Sequence, residues 1–189
     1  MQLSRTEILL HEYDALYKLA AFRMTSLDSR IPLIGGTVTA FLSSLVVLPR
    51  PAQAVLLFEV PAVLIWFLRT TATHACSFED ALRRIEEIEI AVNRLAESEL
   101  LAFQSRHPSR GKVVGGRTGT ETVVSTFAAA LIMLASCGYL GVAVAAFQPI
   151  LLQLYLLYLT ATLVALMKAL HNWRRYRYMK TFDLASRPP

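Results

Sequence analysis

The sequence predicts an all-α membrane protein that crosses the bilayer four times. Of its 189 residues, 54% are hydrophobic and only 17% are charged, and the apolar residues gather in four long runs. Ordinary soluble domains carry about 25% charged residues, so this composition indicates that lipid replaces water around much of the chain. A run of about 18 apolar residues is long enough to cross a hydrocarbon core about 30 Å thick as a helix.

The four apolar runs form two pairs, 31–48 with 51–68 and 123–147 with 149–167. Very short turns, Pro49-Arg50 and Gln148, join the members of each pair, so we expect two helical hairpins. The predicted order is an N-terminal cytosolic helix (1–30), a first hairpin (31–68), a cytosolic helix with a basic loop (69–122), a second hairpin (123–167) and a tail (168–189).

Basic residues predict the orientation, because Lys and Arg are enriched on the cytoplasmic side of membrane proteins. They lie before the first run, between the two pairs and after the last run, whereas only Arg50 lies on the other side. We therefore expect the chain in a bacterial inner membrane with both termini in the cytoplasm. The net charge of +5 is concentrated in the tail from Lys168 onward.

Two amphipathic helices are predicted on the cytosolic side. Ser4 and Glu7 form a capping-box pattern before a helix over 4–28, and a second helix is expected after Ser77, with Asp80 in the reciprocal position. The second helix carries a heptad seam of Phe78, Ile85, Ile88, Val92 and Leu95. This seam either packs on the first helix of the same chain or joins the subunits of an oligomer.

Charged residues of the second helix look like a solvated face. Exposed pairs of Arg83 with Glu79 and with Glu87 are expected at i,i+4 spacing, and Glu86, Glu87 and Glu89 are expected in water. The histidines are scattered along the chain, and no catalytic group or metal-ligand spacing stands out. We therefore expect neither an enzyme nor a bound cofactor.

Glu59 lies near the middle of the second predicted span. An acidic side chain at the bilayer centre costs about 3 kcal/mol or more, so Glu59 must face protein or water. Pro61 removes a backbone hydrogen bond and predicts a kink or hinge at the same place. In an oligomer, Glu59 would form a ring of carboxylates, as in cation-selective pores. The alternative is a structural acid, protonated or paired with a polar group such as Gln153.

Two basic segments are candidates for ligand binding. The glycine-rich loop over 108–120 carries Arg110, Lys112 and Arg117, and it is either a cradle for phosphate or a solvated linker. The tail interleaves aromatic and basic residues at Trp173, Arg174, Arg175, Tyr176, Arg177 and Lys180. Such a tail either stacks single-stranded bases while holding phosphates, or forms the usual interfacial flank of a last membrane helix.

With inside-facing termini, two tight hairpins and small cytosolic helices, the chain resembles compact multi-pass effectors of bacterial anti-phage defence. It looks most like the membrane effector of Hailong systems, and cyclic-nucleotide-gated CBASS effectors share the plan. The resemblance implies a tetrameric ion channel, held shut by single-stranded oligodeoxyadenylate, and a partner nucleotidyltransferase from the same operon. It would make Glu59 a pore candidate and the basic tail and loop DNA contacts.

The leading hypothesis from the sequence is therefore a homo-oligomeric, ligand-gated ion channel whose opening depolarises the cell. The alternative is a non-conducting membrane anchor or scaffold, whose heptad seam recruits a cytosolic partner. Glu59 separates the two hypotheses, because a passive anchor has no use for a carboxylate at mid-membrane.

Overall fold

The computed structural model describes residues 5–107, 113–145 and 149–179, and within them every regular element is an α-helix. The helices are α1 (Arg5–Asp28), α2 (Arg30–Val47), α3 (Arg50–Leu95), α4 (Gly116–Ala145) and α5 (Pro149–Arg174). Four helical stretches are long and apolar enough to cross a membrane, namely Thr6–Val47, Arg50–Leu95, Gly116–Ala143 and Pro149–Arg174. The predicted all-helical class and its four apolar stretches are confirmed.

Helix α3 is longer than the sequence predicted, because its 46 residues join the second predicted span to the predicted second cytosolic helix. The expected helix start after Ser77 is wrong, since Ser77 lies inside α3. The stretch 69–77 contains neither Gly nor Pro to end a helix. The hydroxyls of Thr70, Thr71 and Thr73 donate to carbonyls three or four residues earlier, a bond that serine and threonine make inside helices.

The chain divides into two compact units. We call Met1–Leu27, His74–Thr120 and Tyr176–Pro189 the charged unit, and Asp28–Thr73 with Glu121–Arg175 the apolar unit. Helix α3 contributes its first part to the apolar unit and its last part to the charged unit.

In the charged unit, α1 packs on the last part of α3. One core cluster contains Ala20, Leu27, Phe78, Ala81 and Ile85, and a second contains Leu9, Ile88 and Val92. Four seam residues are thus buried against α1 of the same chain, whereas Leu95 is 50% exposed. An intersubunit contact through those four residues would require α1 to leave them.

The acidic residues of α3 do not form the predicted solvated face. Glu86 and Glu89 are buried and Glu87 is half-buried, so that prediction is wrong. Arg83 binds Glu79 at 2.7 Å, as predicted, but its second partner is Glu86 at 3.0 Å rather than the predicted Glu87. Arginines one turn away on α3 pair with Glu86 and Glu87, and donors from other segments of the charged unit bind Glu89, so these carboxylates tolerate burial.

Glu89 is the most deeply buried of these carboxylates, with no exposed surface. Its oxygens accept hydrogen bonds from the backbone amides of Gln104 (2.9 Å) and Ser105 (2.7 Å) and from the Tyr13 hydroxyl (3.2 Å). Burial, and then the Glu89 charge, raise the pKa of Tyr13 to about 12, so its phenol remains a donor at physiological pH. Glu89 therefore fastens the segment that follows α3 back onto the helix.

Glu79 holds the segment before α4 in a similar way. Its Oε2 accepts a hydrogen bond from the backbone amide of Gly115 at 2.9 Å. Gly115 has a φ of 73°, and a Cβ there would stand 2.9 Å from the carbonyl oxygen of Ala75. Only glycine fits this backbone conformation so close to α3.

The apolar unit contains α2, the first part of α3, most of α4 and all of α5. The Gln53 side chain donates to the carbonyls of Leu45 (2.9 Å) and Leu48 (3.0 Å), so it satisfies acceptors left over at the end of α2. Buried side chains from all four helices form its interior, among them Ile34, Phe41, Leu57, Leu64, Leu68, Val123, Cys137, Tyr155 and Leu166.

Candidate functional site

Glu59 lies on α3 with its side chain exposed. Among the residues that the structure describes, no hydrogen bond or ion pair joins Glu59 to Gln153, the predicted polar partner, and Gln153 is itself exposed. A carboxylate on an apolar helix cannot stay ionised against lipid tails without a large penalty. In a membrane, an ionised Glu59 would therefore need a second protein surface or a water-filled space around it, whereas a protonated Glu59 would not carry this penalty.

The surroundings of Glu59 on α3 form an exposed apolar stripe. Val55 is 54% exposed, Val63 is 55% exposed and Trp66 is 65% exposed, at helical spacings that put them on the same face as Glu59. Pro61, by contrast, is fully buried, and α3 continues through it. The stripe thus presents one carboxylate among large apolar side chains.

A second candidate site is an open cleft of about 670 Å³ in the charged unit. Its walls come from α1, α3 and the start of the tail, and they include Leu16, Leu19, Arg23, Ser77, Asp80, Ala81, Arg84, Tyr176, Arg177, Tyr178 and Met179. A volume of this size falls within the range of small-molecule sites, about 300–1,000 Å³. The tail therefore meets the two helices at a cavity rather than on a flat surface.

Tyrosines fasten the tail to α3 along this cleft. The Tyr176 hydroxyl donates to Oδ1 of Asp80 at 2.5 Å, and the Tyr178 hydroxyl lies 3.4 Å from Oε2 of Glu87. Burial, and then the hydrogen bond to Asp80, raise the pKa of Tyr176 well above its usual value. The phenol therefore stays protonated and keeps donating across the physiological range.

The arginines of the cleft differ in how far they are engaged. Arg84 binds both oxygens of Glu12, at 2.7 and 3.2 Å, and also Glu87 at 3.2 Å. These carboxylates raise the pKa of Arg84. Arg23 stands 2.8 Å from Nδ1 of His74, and Arg177 is exposed. Arg177 is thus the cleft cation most open to a ligand.

The other predicted ligand-binding residues are distributed unevenly. Arg174 and Arg175 are exposed at the end of α5, and Arg117 is exposed in the first turn of α4. Trp173 is only 6% exposed, so other side chains cover its indole here, and base stacking by Trp173 stays a prediction. Arg110, Lys112 and Lys180 lie outside the described residues.

Several cleft residues were missed by reasoning from sequence. Arg23, Asp80, Arg84 and Tyr178 enter the site only because α1 and the tail both pack on α3. The sequence predicts Asp80 as a helix cap, whereas in the structure Asp80 lies inside α3 and its Oδ1 accepts a hydrogen bond from the Tyr176 hydroxyl. The only sequence feature that pointed to this cleft is the alternation of tyrosines with basic residues in the tail.

Comparison with protein-family models, with curated proteins and with solved structures finds no match. The class that the fold itself defines is an all-helical chain with four stretches able to span a membrane.

We predict that the Cys76 thiol reacts slowly with alkylating reagents at neutral pH. Burial, and then the charges of Asp80 and Glu79, raise its pKa to about 11, so the reactive thiolate is scarce below that pH. Peptide mass spectrometry after iodoacetamide treatment should show a rate that still rises between pH 9 and about 11 in the folded protein. The denatured chain is the control, and its rate should reach half of its maximum near pH 9, the ordinary thiol value, and then approach a plateau. The same plateau in the folded protein would contradict this prediction.

Proposed function

We propose that the chain is a homo-oligomeric, cation-conducting membrane channel whose pore is lined by Glu59. The observation that carries this proposal is the exposed carboxylate within the apolar stripe of α3. Symmetric association would turn the stripe inward, bring one Glu59 from each subunit to the axis and surround it with water and counter-ions. A tetramer is the assembly proposed here, in line with the resemblance.

The proposed orientation places the charged unit in the cytoplasm of a bacterial cell, with both termini on that side of the inner membrane. The two predicted hairpins would then leave only short turns on the far side. This arrangement follows the distribution of Lys and Arg along the chain. It makes any soluble ligand or partner act from inside the cell.

We further propose that a cytosolic nucleotide or single-stranded oligodeoxynucleotide controls the channel by binding the basic tail that begins at residue 168. Support comes from exposed Arg174, Arg175 and Arg177, and from the cleft beside Tyr176 and Tyr178. Basic side chains can bind the phosphates of a nucleotide, and neighbouring aromatic rings can stack on its base. The ligand would be made by a partner nucleotidyltransferase, and the response would be membrane depolarisation and growth arrest during phage infection.

The channel proposal is tested by ion flux from liposomes that contain the purified full-length protein. A potassium gradient should collapse faster in protein-containing vesicles than in empty ones, in at least one ligand state. Vesicles that stay tight with and without nucleotides and oligodeoxynucleotides would reject the channel and favour the anchor.

Replacing Arg174, Arg175 and Arg177 together by alanine should abolish or strongly weaken oligodeoxynucleotide binding. Each cation that contacts a phosphate of a single strand contributes about 0.7 to the slope of log affinity against log salt, so loss of three contacts should lower the slope by about 2. Fluorescence anisotropy across a salt series measures both quantities. Arg94→Ala is the matched control, because Arg94 is also exposed. Unchanged binding in the triple variant would remove these residues from the ligand site.

A further inference from the structure

Pro61 leaves a backbone acceptor without its usual donor inside the apolar unit. A proline in a helix lacks the N–H that would bond the carbonyl four residues earlier, and its ring crowds that carbonyl. In α3 this carbonyl belongs to Leu57. A buried backbone carbonyl at membrane depth needs another donor, because lipid offers none.

Tyr155 of α5 supplies that donor. Its hydroxyl lies 3.2 Å from the Leu57 carbonyl oxygen and 3.2 Å from the Cys137 carbonyl oxygen of α4. The Cys137 carbonyl lies inside a regular helix, where the amide of Gly141 is its standard hydrogen-bond donor. The Leu57 carbonyl has no such amide donor, so we assign the single phenol hydrogen of Tyr155 to Leu57. The Tyr155 side chain is only 5% exposed, so water does not compete for the bond.

Tyr158, one turn further along α5, donates to the next carbonyl of α3. Its hydroxyl is 2.7 Å from the Phe58 carbonyl oxygen. The Phe58 ring also meets Tyr155 edge-on, with centroids 5.6 Å apart, and Tyr158 in a stacked arrangement at 6.3 Å. Two successive carbonyls, Leu57 and Phe58, are therefore held by two side chains from one neighbouring helix.

Gly141 of α4 leaves the space that the Tyr155 ring occupies. A Cβ at Gly141 would stand 2.1 Å from Cε1 of Tyr155 and 2.6 Å from Cδ1. The backbone fixes the position of a Cβ, so only a shift of the Tyr155 ring or of the helices could relieve this overlap. A Cβ at Gly138 would meet only Leu159, at an ordinary 3.6 Å. The two glycines of α4 are thus unequal, and only Gly141 is needed for the ring of Tyr155 to reach α3.

We infer that Tyr155 and Tyr158 are positioning residues that clamp α3 at Pro61 and so fix the direction in which Glu59 points. Glu59 follows Phe58 directly and precedes Pro61 by two residues, so the clamp holds the backbone on which the carboxylate stands. The clamp is a property of the apolar unit alone, while its effect on ion flow rests on the proposed function.

Hydrogen exchange of the full-length protein in lipid nanodiscs tests the clamp without any reference to conduction. In Tyr155→Phe and Tyr158→Phe, amides in peptides that cover residues 57–66 should exchange about threefold faster, the average effect of losing one hydrogen bond inside a membrane protein. The double variant should exceed either single one. Gly141→Ala should act like Tyr155→Phe although it leaves both hydroxyls in place.

Matched controls are Tyr139→Phe, which removes a phenol that is 78% exposed, and Gly138→Ala, which adds the same methyl group one turn away. Both should leave exchange over 57–66 unchanged. Equal exchange in Tyr155→Phe, Tyr158→Phe and the controls would overturn the clamp.

Flux from the same variants in liposomes separates the clamp from the channel. Altered flux in Tyr155→Phe and Tyr158→Phe, but not in Tyr139→Phe, supports the positioning of Glu59. Faster exchange with wild-type flux would overturn that positioning. Faster exchange in a protein that never conducts, even as wild type, supports the clamp and rejects the proposed channel.

Discussion

Replacing Glu59 by glutamine should lower the cation-to-anion permeability ratio of the reconstituted protein by about tenfold or more. Glutamine keeps the shape of the side chain and removes only its charge. Charges a few ångströms from a permeating ion interact with it by about 1 kcal/mol even in bulk water, and in the proposed pore several subunits would contribute together. The ratio is obtained from reversal potentials in asymmetric salt, and expression of the variant should be less toxic than expression of the wild type.

Two further variants sharpen the Glu59 result. Glu59→Asp retains the charge and should keep cation selectivity, whereas Glu97→Gln removes an exposed carboxylate of the charged unit and should change nothing. If Glu59→Gln matched the wild type in selectivity and toxicity, Glu59 would be a structural acid. The alternative of a non-conducting anchor would then gain weight.

The second large effect is expected in the charged unit, where Glu89→Gln should destabilise the segment over residues 96–107 by about 3 kcal/mol. The buried carboxylate accepts two backbone amides and a phenol. Glutamine offers one acceptor oxygen and turns an NH₂ group toward donors, so at least one buried amide loses its partner. A hydrogen bond to a charged group contributes about 1.5–3 kcal/mol, and more than one is lost or weakened here.

This loss converts to roughly 100-fold faster hydrogen exchange or proteolysis within 96–107, since about 1.4 kcal/mol corresponds to a factor of ten. Glu97→Gln again serves as the control, because Glu97 lies in the same segment and is exposed. Exchange in Glu89→Gln that resembles the control would show that the carboxylate does not anchor the segment.

The apolar helices were predictable because lipid imposes a simple rule on composition and length. The runs over 31–48, 51–68, 123–147 and 149–167 each overlap a helical stretch that is able to span a membrane, although residues 146 and 147 lie outside the described part of the chain. The extent of α3 was not predictable in the same way. Ser77 and Asp80 imitate a helix start, and only the absence of Gly and Pro over 69–77 argues for continuity.

The buried acids of α3 show why local spacing failed in the charged unit. Charge pairs at i,i+4 are typical of an exposed helix face, yet Glu89 binds amides 15 and 16 residues away and Arg84 binds Glu12 across 72 residues. These partners come close to α3 only because α1 and the segment after α3 pack on it. Patterns within one helix cannot reveal them.

The contacts around Pro61 have the same origin. Tyr155 and Tyr158 reach carbonyls that lie 98 and 100 residues earlier in the chain. The sequence did mark the place, because a proline beside a carboxylate in an apolar run signals a backbone acceptor in need of a donor. It did not mark the donor, since several hydroxyl-bearing residues are spread over the other apolar runs.

Current through planar bilayers that contain the purified full-length protein tests the central claim most directly. We predict a cation-selective conductance in at least one ligand state, with a reversal potential that moves toward zero in asymmetric salt when Glu59 is replaced by glutamine. The absence of conductance in every ligand state, or an anion-selective conductance that is indifferent to Glu59, would contradict it.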